Sequence, residues 1–474
     1  MTRRHARTAL FTLLVFIVIA CTWPSFSPTR ASAVPAQTSA AEGADELLPS
    51  PPNILIINTD DQRYTETLEV MPRVSKFFVG GGTEYVNGAV TTALCCPSRA
   101  SFFSGRYSHN NGITGNGLDE LVANFDQDST IQGYLQEAGY NTAIVGKYMN
   151  TYPLHRDPMN WTQWATTTGG YSDVPFNLNS EPRQTSGYYT KHLGNFATDF
   201  LQDFEAEDDK PWFMYVAPQA PHHPYRPQPK YATAEVPAVE KPPSWNEADI
   251  SDKPQAVRNR APVSEAEYIR KRTQMLRTLM SVDDMVQRLV RQMNLLGESE
   301  NLLAVYMSDN GYLWGEHGVS EKRFPYLESI EVPFLVRWRG VLPEGETSAR
   351  LVTQIDLLPT ALEAAQATPT LTYPLDGQSI LSAPPRTEVL HEYFKSPDSQ
   401  MFPWAGIRTE EWQYVEWYDV TTGVIIWREY YDLVNDPYQM ENVLRDGIDG
   451  NEPDVAPLHE RLTDLRDCVG IECP

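Results

Sequence analysis

Several short stretches of the chain are apolar with no polar alternation. Asn53 to Asn58 carries four consecutive aliphatic residues, and Thr142 to Val145, Trp212 to Val216, Leu302 to Met307 and Val332 to Val336 repeat the pattern. Runs of that length read as strands buried on both faces. Helical patterns lie between them. Asp128-Ser129 opens one that Gly139 closes, and Ser264 to Leu296 has the spacing of one or two long amphipathic helices. Strands alternating with helices predict an α/β fold built on a large, mostly parallel sheet flanked by helices. From about residue 385 the pattern changes. Trp412 to Tyr418 and Val424 to Tyr431 are aromatic and alternating, which predicts a smaller antiparallel sheet, with a final helix from Val455 to Leu465 packed on it. The expected division is a main domain over residues 51–384 and a C-terminal subdomain over 385–474.

The N-terminal pattern is of another kind. Arg3, Arg4 and Arg7 precede an apolar run from Ala9 to Ala20 that is too short to span a bilayer as a mature helix. Residues 1–33 therefore read as an export signal of the bacterial kind. Two endings stay open: Val18-Ile19-Ala20-Cys21 resembles a lipoprotein box with a lipid anchor at Cys21, and Ala31-Ser32-Ala33 fits a small-residue cleavage site. Residues 34–50, rich in Ala, Ser, Pro and acidic side chains, read as a flexible leash to a cell-surface or secreted protein.

Composition narrows the partners. The 474 residues carry 38 basic and 62 acidic side chains, a formal net charge of -24. A general basic field for nucleic acid or anionic lipid is absent, so a polyanionic substrate needs a local basic pocket. Of the five cysteines, Cys468 and Cys473 are spaced for a small disulfide clasp outside the cytosol. Cys21 belongs to the export segment. The adjacent pair Cys95-Cys96 is left to be explained.

Chemistry-bearing residues cluster at the ends of the strand candidates. Asp60-Asp61 follows the first, Gly146-Lys147 the second, a Pro-rich loop with His222 the third, and Asp309-Asn310 the fourth. In parallel α/β sheets, ligands bind beyond the carboxyl ends of the strands. Asp60, Asp61, Asp309 and Asn310 offer only oxygen, which suits calcium or magnesium. Pro97 to Arg99 forms a turn into a helix with Cys95 at its start, where the helix end favours anions. Arg99, Lys147 and Lys322 add positive charge. Each lysine alone would read as a surface lysine and His222 alone as structural. Together they describe a pocket for a small tetrahedral oxyanion beside a hard cation.

The run Cys95-Cys96-Pro97-Ser98-Arg99 matches the sulfatase signature Cys-x-Pro-Ser-Arg. Cys95 to Ile113, Gly146-Lys147-Tyr148-Met149-Asn150, Ser308-Asp309-Asn310-Gly311-Tyr312, Gly315-Glu316-His317-Gly318 and Glu321-Lys322-Arg323 resemble the N-acetylglucosamine-6-sulfatase branch, which includes the extracellular endosulfatases. Tyr431-Asp432-Leu433 with Asp436-Pro437 is common across sulfatases. The resemblance spans about residues 52–445 and implies an alkaline-phosphatase-like fold. It also implies oxidation of Cys95 to formylglycine by a formylglycine-generating enzyme. One hydroxyl of the hydrated aldehyde attacks sulfur. Proton loss from the other collapses the adduct, expels sulfate and restores the aldehyde. On the same resemblance, Asp60, Asp61, Asp309, Asn310 and modified Cys95 hold one calcium ion. Arg99 steadies the hydrate, while Lys147, Lys322 and His222 bind sulfate oxygens. His222 or Lys322 protonates the leaving alkoxide. The implied substrate is a sulfated carbohydrate such as 6-sulfated N-acetylglucosamine.

Two positions depart from common sulfatase patterns. Met149 stands where many arylsulfatases have His, which leaves the base that collapses the adduct open, with His317 as the candidate. Glu331 stands where a basic residue is frequent. Two other readings of the chain remain: a phosphonate or phosphate diester hydrolase of the same superfamily, and an inactive glycan-binding homologue.

Overall fold

Four aliphatic residues in a row make sense only if both faces of a strand are covered. In the computed structural model Asn53–Thr59 is such a strand. Ile54 and Ile56 pack into one hydrophobic cluster, while Leu55 and Ile57 pack into a second on the opposite face. Each side chain so buried stabilises the fold by roughly 1.5–3 kcal/mol. The structure describes residues 48–117, 124–150, 152–206, 209–395, 401–448 and 450–474. The export segment with Cys21, and most of the leash, lie outside the described residues. Leu48–Pro474 forms one compact unit.

Among the described residues the largest sheet has ten strands. In chain order they are β1 (Asn53–Thr59), β2 (Thr83–Tyr85), β3 (Asn141–Lys147), β4 (Gln163–Thr167), β5 (Pro175–Leu178), β6 (Glu181–Gln184), β7 (Trp212–Ala217), β8 (Leu302–Ser308), β9 (Phe334–Arg337) and β10 (Glu346–Ser348). Their spatial order is β10-β2-β9-β8-β1-β7-β3-β4-β5-β6. The central run from β8 to β4 is parallel. On one face lie α1 (Cys95–Ser104) and α2 (Ile131–Glu137), through Phe102, Phe103, Ile131 and Leu135. On the other lie α3 (Tyr189–Glu205) and α4 (Glu265–Leu296), through Leu193, Leu201, Leu276 and Leu279. The long amphipathic pattern is a single helix: the Ser264 hydroxyl accepts from the Glu267 N–H to start it, and Gly297, with φ 91°, ends it.

The fifth strand candidate differs from expectation. It is shorter than the apolar run, and β9 pairs antiparallel with β8. The connection between them contains only a four-residue helix, Leu327–Ile330, and stays at the carboxyl end of the sheet. The chain therefore re-enters from the end it left. A parallel return needs a full crossover.

Beyond α5 (Leu357–Ala364), the C-terminal sheet is the expected antiparallel one. Strands β11 (Val389–Tyr393), β12 (Trp404–Arg408), β13 (Trp412–Tyr418) and β14 (Ile425–Asp432) pair in sequence order. Helix α6 (Val455–Arg466) buries Leu462 and Leu465 against residues of this sheet such as Leu390 and Ile407. The Cys468–Cys473 disulfide forms just beyond it.

Candidate active site

The carboxyl ends of four neighbouring strands bring distant residues together. The chain turns out of β1 at Asp60 and Asp61. Asp61 adopts a left-handed φ of 69°, which aspartate tolerates better than most residues. Its N–H donates to Asp309 Oδ1 at 3.2 Å, tying the end of β1 to the end of β8. Beyond β7, Asp60 bridges to Pro221, which carries His222 to the same edge. Two glycines permit the close packing. A Cβ at Gly146 would sit 2.2 Å from the Ala217 carbonyl oxygen, and one at Gly311 would sit 2.2 Å from that of Glu328. Lys147 and Asn310 stand beside them.

Three cations interleave with three carboxylates. Arg99, fully buried on α1, donates from Nε to Asp309 Oδ2 at 2.8 Å and from Nη1 to the Lys147 carbonyl at 2.8 Å. The Lys147 ammonium pairs with Asp60 and that of Lys322 with Asp61. Burial would raise the Asp60 carboxyl, but Lys147, His222, Arg99 and Lys322 together hold it well below the usual carboxylate range. Burial and the neighbouring Asp60 push Asp309 upward.

Helix α1 begins at Cys95 itself, so the turn expected over Pro97 to Arg99 lies within the helix, and all ten of its residues are buried. Lys322 Nζ donates to Cys95 Sγ at 2.7 Å, and that sulfur lies 3.6 Å from Asp60 Oδ1. Burial outweighs the lysines and pushes the Cys95 thiol up to about 11. As an unmodified thiol it is protonated at neutral pH and a poor nucleophile. Cys96 points into the apolar cluster below the sheet. Its sulfur accepts from the Asn150 N–H at 3.2 Å, and burial pushes it to about 12. The two adjacent thiols thus face different surroundings.

His222 stands at the rim. Its Nδ1 lies 2.8 Å from the His223 carbonyl, which can only accept, so Nδ1 carries the hydrogen. Nε2 is left facing Asp61 Oδ2 at 3.8 Å. Asp61, His222 and Lys322 line a cavity of about 190 Å³ with His223, Tyr225, Tyr312, Glu321 and Arg323.

His317 is not brought to this cluster. Its Nδ1 pairs with Glu247 at 2.6 Å, its ring packs on Tyr326, and none of its hydrogen bonds or ring contacts reaches Cys95 or Asp61. Burial lowers it to about 3. The candidate base read from the sequence is therefore held away from Cys95, in a loop with φ 51° at His317. Glu331 likewise faces elsewhere, pairing with Arg408 of β12 at 2.5 Å. Sequence reasoning missed Tyr215, whose hydroxyl accepts from Arg99 Nη1 at 3.2 Å and from Asn58 Nδ2 at 2.8 Å. It sits inside an apolar strand, and nothing local separates it from a core tyrosine.

The oxygen donors fit a hard divalent cation. Carboxylate oxygens of Asp60 and Asp61 lie within 4.8 Å of each other, with Cys95 Sγ and a His222 ring nitrogen in the same cluster. Asn310 Nδ2 donates to Asp61 Oδ1 at 2.7 Å, while its Oδ1 is buried with no hydrogen-bond donor. A buried, unpartnered carbonyl oxygen beside three carboxylates is costly unless a cation takes it.

Comparison with known proteins bears on this constellation. A family model described as Sulfatase matches residues 52–367, and one described as N-sulphoglucosamine sulphohydrolase, C-terminal, matches residues 315–468. The chain is 32% identical to human N-acetylglucosamine-6-sulfatase over 490 residues, covering 89% of this chain and 86% of that one. It is 32% identical over 332 residues to a putative extracellular sulfatase Sulf-1 homolog of Caenorhabditis elegans, covering 66% of this chain and 46% of the relative. A solved structure of a protein in complex with its substrate D-glucosamine-2-N,6-O-disulfate superposes with a TM-score of 0.74 at 23% identity, covering 88% of this chain and 97% of that one. That likeness is one of fold.

Proposed function

The chain belongs to the sulfatase family and hydrolyses sulfate esters, and on that premise we propose that it removes the 6-sulfate of a sulfated glucosamine at a formylglycine made from Cys95. The observation that supports this most directly is the surroundings of Cys95: a thiol too basic to attack, touched by Lys322 and 3.6 Å from Asp60, at the start of a buried helix. As its hydrate, formylglycine supplies a hydroxyl nucleophile and a second hydroxyl whose proton loss releases sulfate. Asp60, Asp61, Asp309 and Asn310 would hold a calcium ion, which would supply positive charge beside the sulfate.

The chain's own residues do the rest. Three carboxylates and three cations balance in the protein, so a bound dication leaves the centre net positive, as an anionic ester requires. Lys147 and Lys322 bind sulfate oxygens. Arg99, fixed by Asp309 and Tyr215, keeps the hydrate in place. His222 binds sulfate and delivers a proton from Nε2 to the leaving sugar oxygen, since Nδ1 is committed to a carbonyl. A formylglycine-generating enzyme is the partner in maturation.

Peptide mass spectrometry of active protein should show Cys95, and not Cys96, lighter by about 18 Da, the change from thiol to aldehyde. Cys95→Ala should abolish release of sulfate from 6-sulfated N-acetylglucosamine, while Cys96→Ser keeps most of it. A free Cys95 thiol in fully active protein would sink the reading.

Export belongs to the same proposal, supported by the N-terminal apolar run and by the extracellular sulfatase relative. Among the described residues no helix is long and apolar enough to cross a membrane. The mass of the mature N-terminus distinguishes a lipidated Cys21 from cleavage after Ala33.

A further inference from the structure

Although the protein has a net charge of -24, its described residues include a concentration of unpaired cations away from the catalytic centre. Near the C-terminal end of α4, a cavity of about 460 Å³ is lined by five cationic side chains and a single carboxylate, Glu300. Two of the five are already neutralised: Arg73 by Asp283 and Asp284, and Arg339 by Glu300 and Glu344. The other three, Lys76, Arg291 and Arg337, have no carboxylate within ion-pair distance among the described residues.

Arg337 is the built part of this cavity. Its guanidinium lies over the Phe77 ring at 4.6 Å, and Nη1 donates to the Ser299 carbonyl at 3.2 Å. Burial lowers its proton affinity, against the partial opposition of Glu344 and Glu300. The cavity does not end there. Gln287 and Arg291 also line a neighbouring cavity of about 730 Å³ between α3 and α4, where Lys191, Arg288 and the Asp284-paired Lys230 stand with two carboxylates, Asp199 and Asp284. The two cavities meet at Gln287 and Arg291 of α4; taken together as a groove, they set several cations side by side, which suits a linear polyanion better than a single small ion.

Position separates this groove from the active site. Ser299 and Glu300 precede β8, whose far end leads to Asp309, and seven residues of strand span about 20 Å. One sugar cannot occupy both places. At physiological ionic strength charge is screened beyond about 8 Å. A polyanion lying in the groove therefore meets its local cations and not the acidic remainder of the surface.

We propose that this groove is a second binding site for a run of a sulfated polysaccharide chain, apart from the residue being cleaved. The proposal rests on the sulfated-sugar reading above only for the identity of the polyanion. A groove of this kind holds the chain between encounters with the catalytic mouth and favours polymeric over monosaccharide substrates.

The test uses the full-length protein, a size-fractionated heparin oligosaccharide, and excess monosaccharide sulfate to fill the catalytic mouth. Lys76→Glu/Arg291→Glu, both exposed positions, should weaken oligosaccharide binding by about tenfold or more. The slope of log affinity against log salt should fall by about two. KM on the polymer should rise while turnover of the monosaccharide sulfate and thermal stability stay unchanged. Unaltered affinity and salt slope in the double variant overturn the proposal, as does tighter groove binding of a single-stranded oligodeoxynucleotide of matched charge. If no sulfated sugar is hydrolysed yet charge reversal still abolishes oligosaccharide binding, the catalytic reading fails and the groove stands.

Discussion

Lys322 touches both the Cys95 sulfur and Asp61, and His222 offers Nε2 at the rim of the same cavity. Groups that bind sulfate equally before and during reaction affect KM when removed, whereas groups that meet developing charge affect kcat. Lys322→Ala and His222→Ala are expected to lower kcat on a sugar sulfate by about 10²–10⁴-fold. The His222→Ala loss should shrink on an aryl sulfate, because a phenolate leaves without needing a proton. Steady-state kinetics on both substrates decide this, and equal losses would reduce His222 to a sulfate-binding group. At this scale, legibility in the sequence followed backbone position. Asp60, Asp61, Lys147, Asp309 and Asn310 could be named because each ends or directly follows a buried strand, and strand ends have a fixed place in a parallel sheet. His317 could not be judged that way: it sits in a loop, where the direction of a side chain depends on packing that no local pattern records. Tyr215 was hidden for the opposite reason, since its ring belongs to the core and only its hydroxyl reaches Arg99.

Elements with long apolar runs were readable, and those without them were not. Strands β1, β3, β7 and β8 announced themselves by being buried on both faces. The exposed edge strand β6, Glu-Pro-Arg-Gln, has no hydrophobic pattern to read, and the three-residue strands β2 and β10 are too short to carry one. The C-terminal sheet and helix were legible, but their attachment was not. His109 supplies part of it: Nδ1 pairs with Glu392 of β11 at 2.9 Å and Nε2 with the Cys468 carbonyl at 3.0 Å. Both partners accept, so the doubly protonated ring satisfies both. Burial would lower its proton affinity, but Glu392 and the carbonyl raise it above the ordinary histidine value. The folded protein therefore holds this proton more tightly than the unfolded chain. The resulting stability is fully present below about pH 6.5, the unfolded value, and is lost as pH rises through the folded one. Denaturant melts across that window should show stability declining with pH, and His109→Gln should flatten the decline attributable to this site. An unchanged profile in the variant would show that the contact does not link proton binding to folding.

Over the whole molecule, three carboxylates and three cations, drawn from residues 60 to 322, form a centre that balances only without a metal. Binding of a hard cation should therefore be felt globally. Chelation is expected to abolish turnover and lower the melting temperature, with calcium restoring both and magnesium doing so less well. Zinc or iron at full occupancy in elemental analysis of active protein would contradict the oxygen-ligand reading. Assembly of that centre requires β1 to pair with β8, bringing Asn53 beside Leu302 across about half of the chain. Contacts so distant in sequence close late, after the slower search that long loops impose. Once they have closed, Cys95 is 1% exposed within a wholly buried helix. On the proposed maturation, an oxidising enzyme that must grip the residues around Cys95 would have an appointment it can keep only while the chain is still open. The fraction of molecules that ever become active would then be a race between two clocks, one for modification and one for folding.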